Sequence, residues 1–262
     1  MDISYGDLVR GRSPNRTMII FNALEIDESI SELQLFNAFL IEAYETSLLI
    51  NSESGLFTIL SEKRLLLPKS IRVSDEEFKY LRTNLLNNNF DDLTVVSKNV
   101  INLSVMDLFQ NNRNCIKESE KIIKFYQKEN YNYYSKINKI VLKLIDEVKK
   151  GEISGQYLGY GIGTTPTMDD VILGGLIISY VNGNKEIYKR LENYVLRNID
   201  LTTKVSGYQF DNFITHKLIP KVFKELLVKQ TLRNALDCIK HGSSSGLDVL
   251  IGMVMFYENL LI

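Results

Sequence analysis

The chain has 262 residues, of which 45% are hydrophobic, which is enough apolar material for one large core or two modest ones. Its 31 Lys and Arg residues against 32 Asp and Glu residues leave a net charge of −1, so no charge excess indicates binding to nucleic acid or to an anionic membrane. The two cysteines, Cys115 and Cys238, lack a CxxC motif and a nearby histidine pair, which argues against zinc, a redox motif and a disulfide framework.

The location expected from the sequence is a reducing cytoplasm. The N-terminal sequence MDISYGDLVRGRS lacks the apolar stretch of a signal peptide, and the apolar run at 171–181 is too short to span a bilayer. We therefore expect neither a membrane nor a nucleic acid among the partners.

Short β-type runs separated by turn clusters fill the chain from about residue 17 to 104. The stretch SLLINSESGLFTIL, at 47–60, predicts a hairpin. Ser74 followed three residues later by Glu77 predicts a capped helix start ahead of the sequence FKYLRTNLL. Residues 1–112 are therefore predicted to form a β-rich N-terminal lobe with one covering helix.

From residue 113 the apolar residues recur at spacings of three and four, so residues 113–262 are predicted to form a helical C-terminal lobe. The predicted fold class is α+β. One helix should stop at the Lys-Lys-Gly sequence of 149–151, and later helices are predicted at 167–182, 184–198, 206–217, 219–240 and 245–260. The glycine-rich segment between Gly151 and Thr167 is long, and such loops in compact domains are more often functional than idle.

Two adjacent acids follow this loop. Thr167 and Asp170 have the spacing of a capping box, which predicts that Thr167 caps the helix and that Asp170 holds the loop, while Asp169 is the freer acid. Ser245 and Asp248 repeat the spacing, and DVLIG at 248–252 repeats DVILG at 170–174. The glycine in each repeat predicts close packing of the two helices, so that their N-termini converge on one pocket.

This pocket is predicted to hold a carboxylate or a phosphate through free backbone amides and hydroxyl groups. The predicted binding residues are Gly163, Thr164, Thr165, Lys204, Ser243, Ser244, Ser245 and Asp248. An alternative is that both motifs are only well-capped helix starts. The loop fits neither a P-loop nor a dinucleotide fingerprint, and no cofactor is assigned. No metal site is assigned either: the two adjacent aspartates leave Mg²⁺ possible but underliganded, and the two histidines, His216 and His241, are too few for a metal cluster.

Three stretches of this half resemble a bacterial family of uncharacterised-domain proteins that includes the AllH-type subunit of oxamate carbamoyltransferase, from anaerobic allantoin breakdown. The family's loop reads approximately G-x-G-x-G-L-T-P-S-G-D-D-x-L-x-G, and the matching residues are Gly159, Gly161, Gly163, Thr165, Pro166, Asp169, Asp170, Leu173 or its neighbour, and Gly174. LTTKVS at 201–206 is similar to the family's T-T-x-x-S, and GSSSGLD at 242–248 is similar to its G-H-[ST]-S-G-x-D. The chain departs from the pattern at Thr164, at Thr167-Met168 and at Ser243, where the family has Leu, Ser-Gly and often His.

The resemblance implies phosphorolysis of a small ureido acid, such as oxalurate, to oxamate and carbamoyl phosphate. It adds Thr203 to the binding residues and makes Asp169 and Asp170 the catalytic candidates, with Asp169 bonding the ureido NH groups. The implied partners are a small anionic metabolite or phosphate and other carbamoyltransferase subunits. A non-catalytic module that binds a small acid or a partner subunit is the alternative.

Overall fold

The computed structural model describes residues 18–30, 34–53, 55–87, 92–97, 99–129 and 131–261. The N-terminal sequence MDISYGDLVRGRS, and the expectation drawn from it, lie outside the described residues. The chain forms two compact units, Met1–Leu103 and Ser104–Ile262. Strands fill the first and helices the second, so the predicted α+β class is confirmed.

The first unit is built on a mixed β-sheet. Its strands are β1 Met18–Asp27, β2 Gln34–Leu35, β3 Phe39–Ala43, β4 Ser47–Ser52, β5 Gly55–Ser61, β6 Ser70–Val73, β7 Asp92–Ser97 and β8 Val100–Ile101. They lie in the order β2-β7-β1-β6-β5-β4-β3, with β8 also beside β1. The pairs β1–β7 and β5–β6 are parallel, whereas β1–β6, β3–β4 and β4–β5 are antiparallel.

The hairpin and the capped helix of this unit are as predicted. Strands β4 and β5 pair directly across the turn, with Leu48 opposite Ile59. Helix α1, Asp75–Leu86, begins after Ser74, whose side chain accepts a hydrogen bond from the Glu77 amide. Alternate residues of each strand point to the same face of the sheet, which gives that face apolar side chains. Phe78, Leu81 and Leu85 of α1 are buried in the same core.

The second unit is helical. Its helices are α2 Arg113–Glu129, α3 Tyr131–Lys150, α4 Thr167–Val181, α5 Lys185–Asn198, α6 Lys204–His216, α7 Lys221–Lys229, α8 Leu232–Cys238 and α9 Ser245–Phe256. A 3₁₀ turn, Ile199–Leu201, precedes α6, and a π-helix, Tyr257–Leu261, follows α9. The segment 104–112, which the sequence analysis assigned to the first lobe, is tied to the helices: the Val105 amide donates to the Lys217 carbonyl at 2.9 Å.

The single helix predicted at 219–240 is wrong, because the chain forms α7 and α8 there. Gln230 takes a left-handed conformation, with φ of 50°, which ends α7. Thr231 then caps α8 by accepting a hydrogen bond from the Asn234 amide. The side chain of Gln230 also reaches α2, where it accepts from the Cys115 amide at 3.2 Å. The break is therefore fixed by tertiary contact as well as by local capping.

Helices α4 and α9 form the centre of the second unit. Both are apolar around their whole circumference, and nearly every residue of each is buried, as expected for helices surrounded by other helices. Helices α3, α5 and α6 pack on α4, while α2, α3 and α8 pack on α9. The two helices that carry the repeated DVILG and DVLIG sequences are thus each other's principal neighbours.

Candidate functional site

The close packing predicted for the repeated glycines is confirmed. A Cβ atom added at Gly174 would overlap the carbonyl oxygen of Val249, and one added at Gly252 would overlap the carbonyl oxygen of Val171. Each helix therefore places backbone against backbone at the glycine of the other. The hydroxyls of Thr165 and Ser245, which lie at the starts of the two helices, are 2.6 Å apart, so the two N-terminal ends lie together.

Both predicted capping boxes are wrong by one residue. Pro166 is the N-cap of α4 and Ser244 is the N-cap of α9, and neither makes a side-chain capping bond. The proline is suited to this position because its extended ψ of 142° leads directly into the helix. Thr167 becomes the first helical residue, and its hydroxyl is 2.6 Å from the Tyr133 hydroxyl of α3 instead of capping the helix.

Asp169 holds the glycine-rich loop, which reverses the predicted roles of the two adjacent acids. Its carboxylate accepts hydrogen bonds from the Gly159 amide, at 2.8 Å, and from the Thr202 hydroxyl. Gly159 has a left-handed φ of 78°, and a Cβ there would overlap the carbonyl oxygen of Leu201, so this approach requires glycine. Burial raises the pKa of Asp169, while Thr202 and Gly159 oppose the rise by bonding the charged form.

Asp170 and Asp248 are the unpartnered acids of the site. Asp170 is 1% exposed and Asp248 is 0% exposed. Among the described residues, none donates a hydrogen bond to Asp170 Oδ2 or to either carboxylate oxygen of Asp248. Burial, followed by the nearby charge of Asp248, raises the pKa of Asp170 well above its ordinary value. Burial also raises the pKa of Asp248, to about 7.

The three segments that resemble the family lie together at this end of the second unit. Thr165 bonds Ser245, the Thr203 hydroxyl donates to the Thr164 carbonyl at 2.6 Å, and Thr202 bonds Asp169. Thr203 is also the N-cap of α6, so the loop is fastened to the start of that helix.

Exposure decreases from the rim of the site to its interior. Among the predicted binding residues, those exposed at the rim are Gly163, Thr164, Lys204 and Ser243, and those partly buried are Thr203, Ser244 and Ser245. Thr165 is 8% exposed and lies between the rim and the two unpartnered acids. Any ligand would therefore meet glycine, hydroxyl groups and one lysine before it met a carboxylate.

The predicted free amides at the helix starts are largely occupied. In α4 the Met168 amide donates to the Tyr160 carbonyl at 3.0 Å, and the amides of Asp169 and Asp170 donate to the Pro166 carbonyl. In α9 the Gly246 amide donates to the His241 carbonyl at 2.9 Å. A small anion would therefore depend on the exposed loop and on Lys204, because the first turns of the helices already bond backbone carbonyls.

Sequence reasoning missed several residues that shape the site. Tyr133 bonds Thr167, and Tyr134 faces Asp248; burial, followed by the charge of Asp248, raises the pKa of this phenol. The tyrosine-rich stretch of α3 is amphipathic like any packed helix, so it carries no local signal of this role. His241, next to the Gly-Ser loop, packs its ring edge-on against Phe223, with ring centroids 5.4 Å apart.

Comparison with known proteins matches residues 157–257 to the family described as oxamate carbamoyltransferase subunit AllH. The match covers the site segments and both central helices, and the resemblance predicted from the sequence is confirmed over this range. No solved structure matches the chain. Within the described ranges, no helix is long and apolar enough to cross a membrane. In that same part of the chain, no three His, Cys, Asp or Glu side chains cluster closely enough to hold a metal ion.

Proposed function

We propose that the chain is a subunit of a carbamoyltransferase-type enzyme that acts on a small ureido acid such as oxalurate. The observation that carries this proposal is the family match at 157–257, which spans the glycine-rich loop and the starts of α4, α6 and α9. In the proposed reaction a phosphate oxygen attacks the ureido carbonyl carbon, the bond from that carbon to the oxamate nitrogen breaks, and the nitrogen takes up a proton. The products are oxamate and carbamoyl phosphate.

The exposed rim of the site supports binding of an anionic substrate. Lys204 is the exposed first residue of α6, and Thr203 beside it bonds the carbonyl of Thr164 in the glycine-rich loop. A lysine ammonium near small residues and hydroxyls suits a phosphate or a carboxylate. The buried acids repel an anion, so it belongs at the rim, on the side of Lys204. Fixed donors there would also stabilise negative charge that develops on the carbamoyl oxygen.

The roles of the two adjacent acids follow from their contacts. Asp169 already bonds Gly159 and Thr202, so in the proposed enzyme it holds the loop and does not bond the ureido NH groups. Asp170 is 1% exposed and faces the hydroxyls of Thr165 and Ser245. In the proposed enzyme it therefore does not contact the substrate but orients these hydroxyls. Both are positioning residues in this proposal.

The test is an assay of carbamoyl phosphate formation from oxalurate and phosphate. The purified chain is assayed alone and together with its co-encoded neighbours, which supply the partner subunits of the proposal. Lys204→Met should raise the KM for phosphate about tenfold with little change in kcat, because one charge-assisted contact is lost. Lys185→Met is the matched control, since Lys185 is the exposed first residue of α5.

Two outcomes would count against the proposal. Absence of turnover in every subunit combination, with a ligand still protecting the fold, would favour the alternative of a non-catalytic module that binds a small acid. Equal KM values for the Lys204 and Lys185 variants would remove Lys204 from the phosphate site while leaving the enzyme class intact.

A further inference from the structure

Two carboxyl groups, those of Asp170 and Asp248, are buried in the first turns of α4 and α9, close enough for the charge of Asp248 to act on Asp170. The side chains of Asp170 and Asp248 are almost completely buried from solvent, and the charge of Asp248 adds to the burial that raises the pKa of Asp170. Three of their four oxygens accept no hydrogen bond from any described residue. Burying one unpaired carboxylate is costly, and a second like charge nearby adds repulsion, so the pair is compensated either by a bound cation or by a retained proton.

The hydrogen-bonding groups that face these carboxyls are hydroxyls of neutral side chains, and the charge of Asp169 also acts on Asp170. The hydroxyls of Thr165 and Ser245 face Asp170. The hydroxyls of Ser244, Thr167 and Tyr134 face Asp248 closely enough to oppose the rise in its pKa, although none meets the distance and angle of a hydrogen bond to it. Each hydroxyl oxygen has two lone pairs, so those that already bond a neighbour still have a lone pair for a further ligand.

We infer that Asp170 and Asp248 bind one divalent cation of the Mg²⁺ class between the N-terminal ends of α4 and α9. The hydroxyl oxygens of Thr165 and Ser245 lie beside it. This is not the adjacent pair Asp169 and Asp170 considered from the sequence, because Asp169 is committed to the loop.

The charge and the ligand type support this class of cation. Two ionised carboxylates carry two negative charges, which one divalent ion neutralises. Carboxylate and hydroxyl oxygens are hard ligands of the kind that Mg²⁺ takes, usually together with water, whereas zinc sites use Cys or His ligands that these positions lack. Ser245 is partly buried and Thr165 adjoins the exposed loop, so these two residues lie between the acids and the rim of the site.

The first test measures binding directly. The full chain is stripped with EDTA, exchanged into buffer at about pH 8 to favour the ionised carboxylates, and titrated with Mn²⁺ while the free Mn²⁺ is followed by electron paramagnetic resonance. We expect one Mn²⁺ bound per chain and its release by excess Mg²⁺. Asp170→Asn and Asp248→Asn should each weaken Mn²⁺ binding by at least roughly tenfold. Asp200→Asn, which changes an exposed acid in the 3₁₀ turn before α6, should bind like the wild type.

Thermal melts separate loss of the site from loss of the fold. In EDTA, Asp170→Asn and Asp248→Asn should melt at or above the wild-type temperature, because each removes one buried charge. Mg²⁺ should raise the melting temperature of the wild type and of Asp200→Asn, and should leave the other two variants unchanged. NaCl at equal ionic strength is the control for screening.

A wild-type chain that leaves the free Mn²⁺ signal unchanged would overturn the inference, and the two carboxyls would then be compensated by a retained proton. Equal Mn²⁺ binding by Asp248→Asn and Asp200→Asn would overturn it as well, by placing the ion elsewhere. Because the assay measures binding and not turnover, failure of the phosphorolysis assay leaves this result unaffected.

Discussion

Asp169 is the residue that joins three parts of the site, since it lies in α4 and bonds both the loop at Gly159 and the Thr202 hydroxyl. Asp169→Ala should lower the free energy of unfolding by about 2 kcal/mol, because two donors lose a charged acceptor. Urea titration measures this value, with Asp200→Ala as the control at an exposed acid. If the two variants unfold alike, the hydrogen bonds of Asp169 do not hold the loop.

Asp248 should make the cation-free chain less stable as the pH rises. Its pKa is raised by burial to about 7 in the folded chain, against about 4 in the unfolded chain, so the folded state binds the additional proton between these values. The stabilisation is complete below about pH 4 and is lost as the pH rises through 7, by on the order of 4 kcal/mol. Unfolding in EDTA from pH 5 to 8 should show this slope for the wild type and a smaller slope for Asp248→Asn.

A matching slope in the Asp248→Asn variant would mean that other groups dominate this pH range. Asp170 contributes in the same direction, because burial and the charge of Asp248 raise its pKa. The two acids interact, so the pH midpoint belongs to the pair and not to either residue alone.

At the scale of elements, the crossing of α4 and α9 depends on two glycines. Gly174→Ala or Gly252→Ala would place a methyl group against a backbone carbonyl oxygen of the other helix, which cannot rotate away. Each substitution should destabilise the chain by about 2 kcal/mol or more, because the helices must separate. Guanidinium unfolding measures the change.

Gly207→Ala is the control for that prediction, since Gly207 also lies within a helix, α6, but a Cβ there meets only the Ile199 side chain at 4.0 Å. It should stabilise the chain by roughly 0.5–1 kcal/mol, because alanine favours the helix. Destabilisation of similar size in all three variants would show that helix propensity, and not close packing, explains the glycines.

At the scale of the whole molecule, the helical unit contains its own core and its own site. Its central helices are wrapped by other helices of the same unit, and the segment 104–112 is bonded within it. The fragment 104–262 should therefore fold by itself, with a helical circular dichroism spectrum and one cooperative melt. The full chain is the reference. A fragment that melts without cooperativity would show that the first unit is needed for the second to fold.

The sequence predicted an element correctly where the contacts that fix its ends join residues close together in the chain. The hairpin at 47–60 and the Ser74 cap depend on residues a few positions apart, and both are present. The predicted starts of α4 and α9 are wrong by one residue. The Thr167 hydroxyl bonds Tyr133 and the Ser245 hydroxyl bonds Thr165, and both partners are distant in the chain. A hydroxyl that could cap a helix bonds whichever partner the tertiary structure places nearer.

The sequence by itself determined the α+β class, the helical second half, the repeated glycines that bring α4 and α9 into contact, and the family resemblance of the site segments. Only the tertiary structure decided which of two adjacent acids is bonded and which is enclosed with Asp248. The reason is physical: periodicity and spacing are properties of neighbouring residues, whereas the burial and charge environment of a carboxylate depend on segments that meet only when the chain folds.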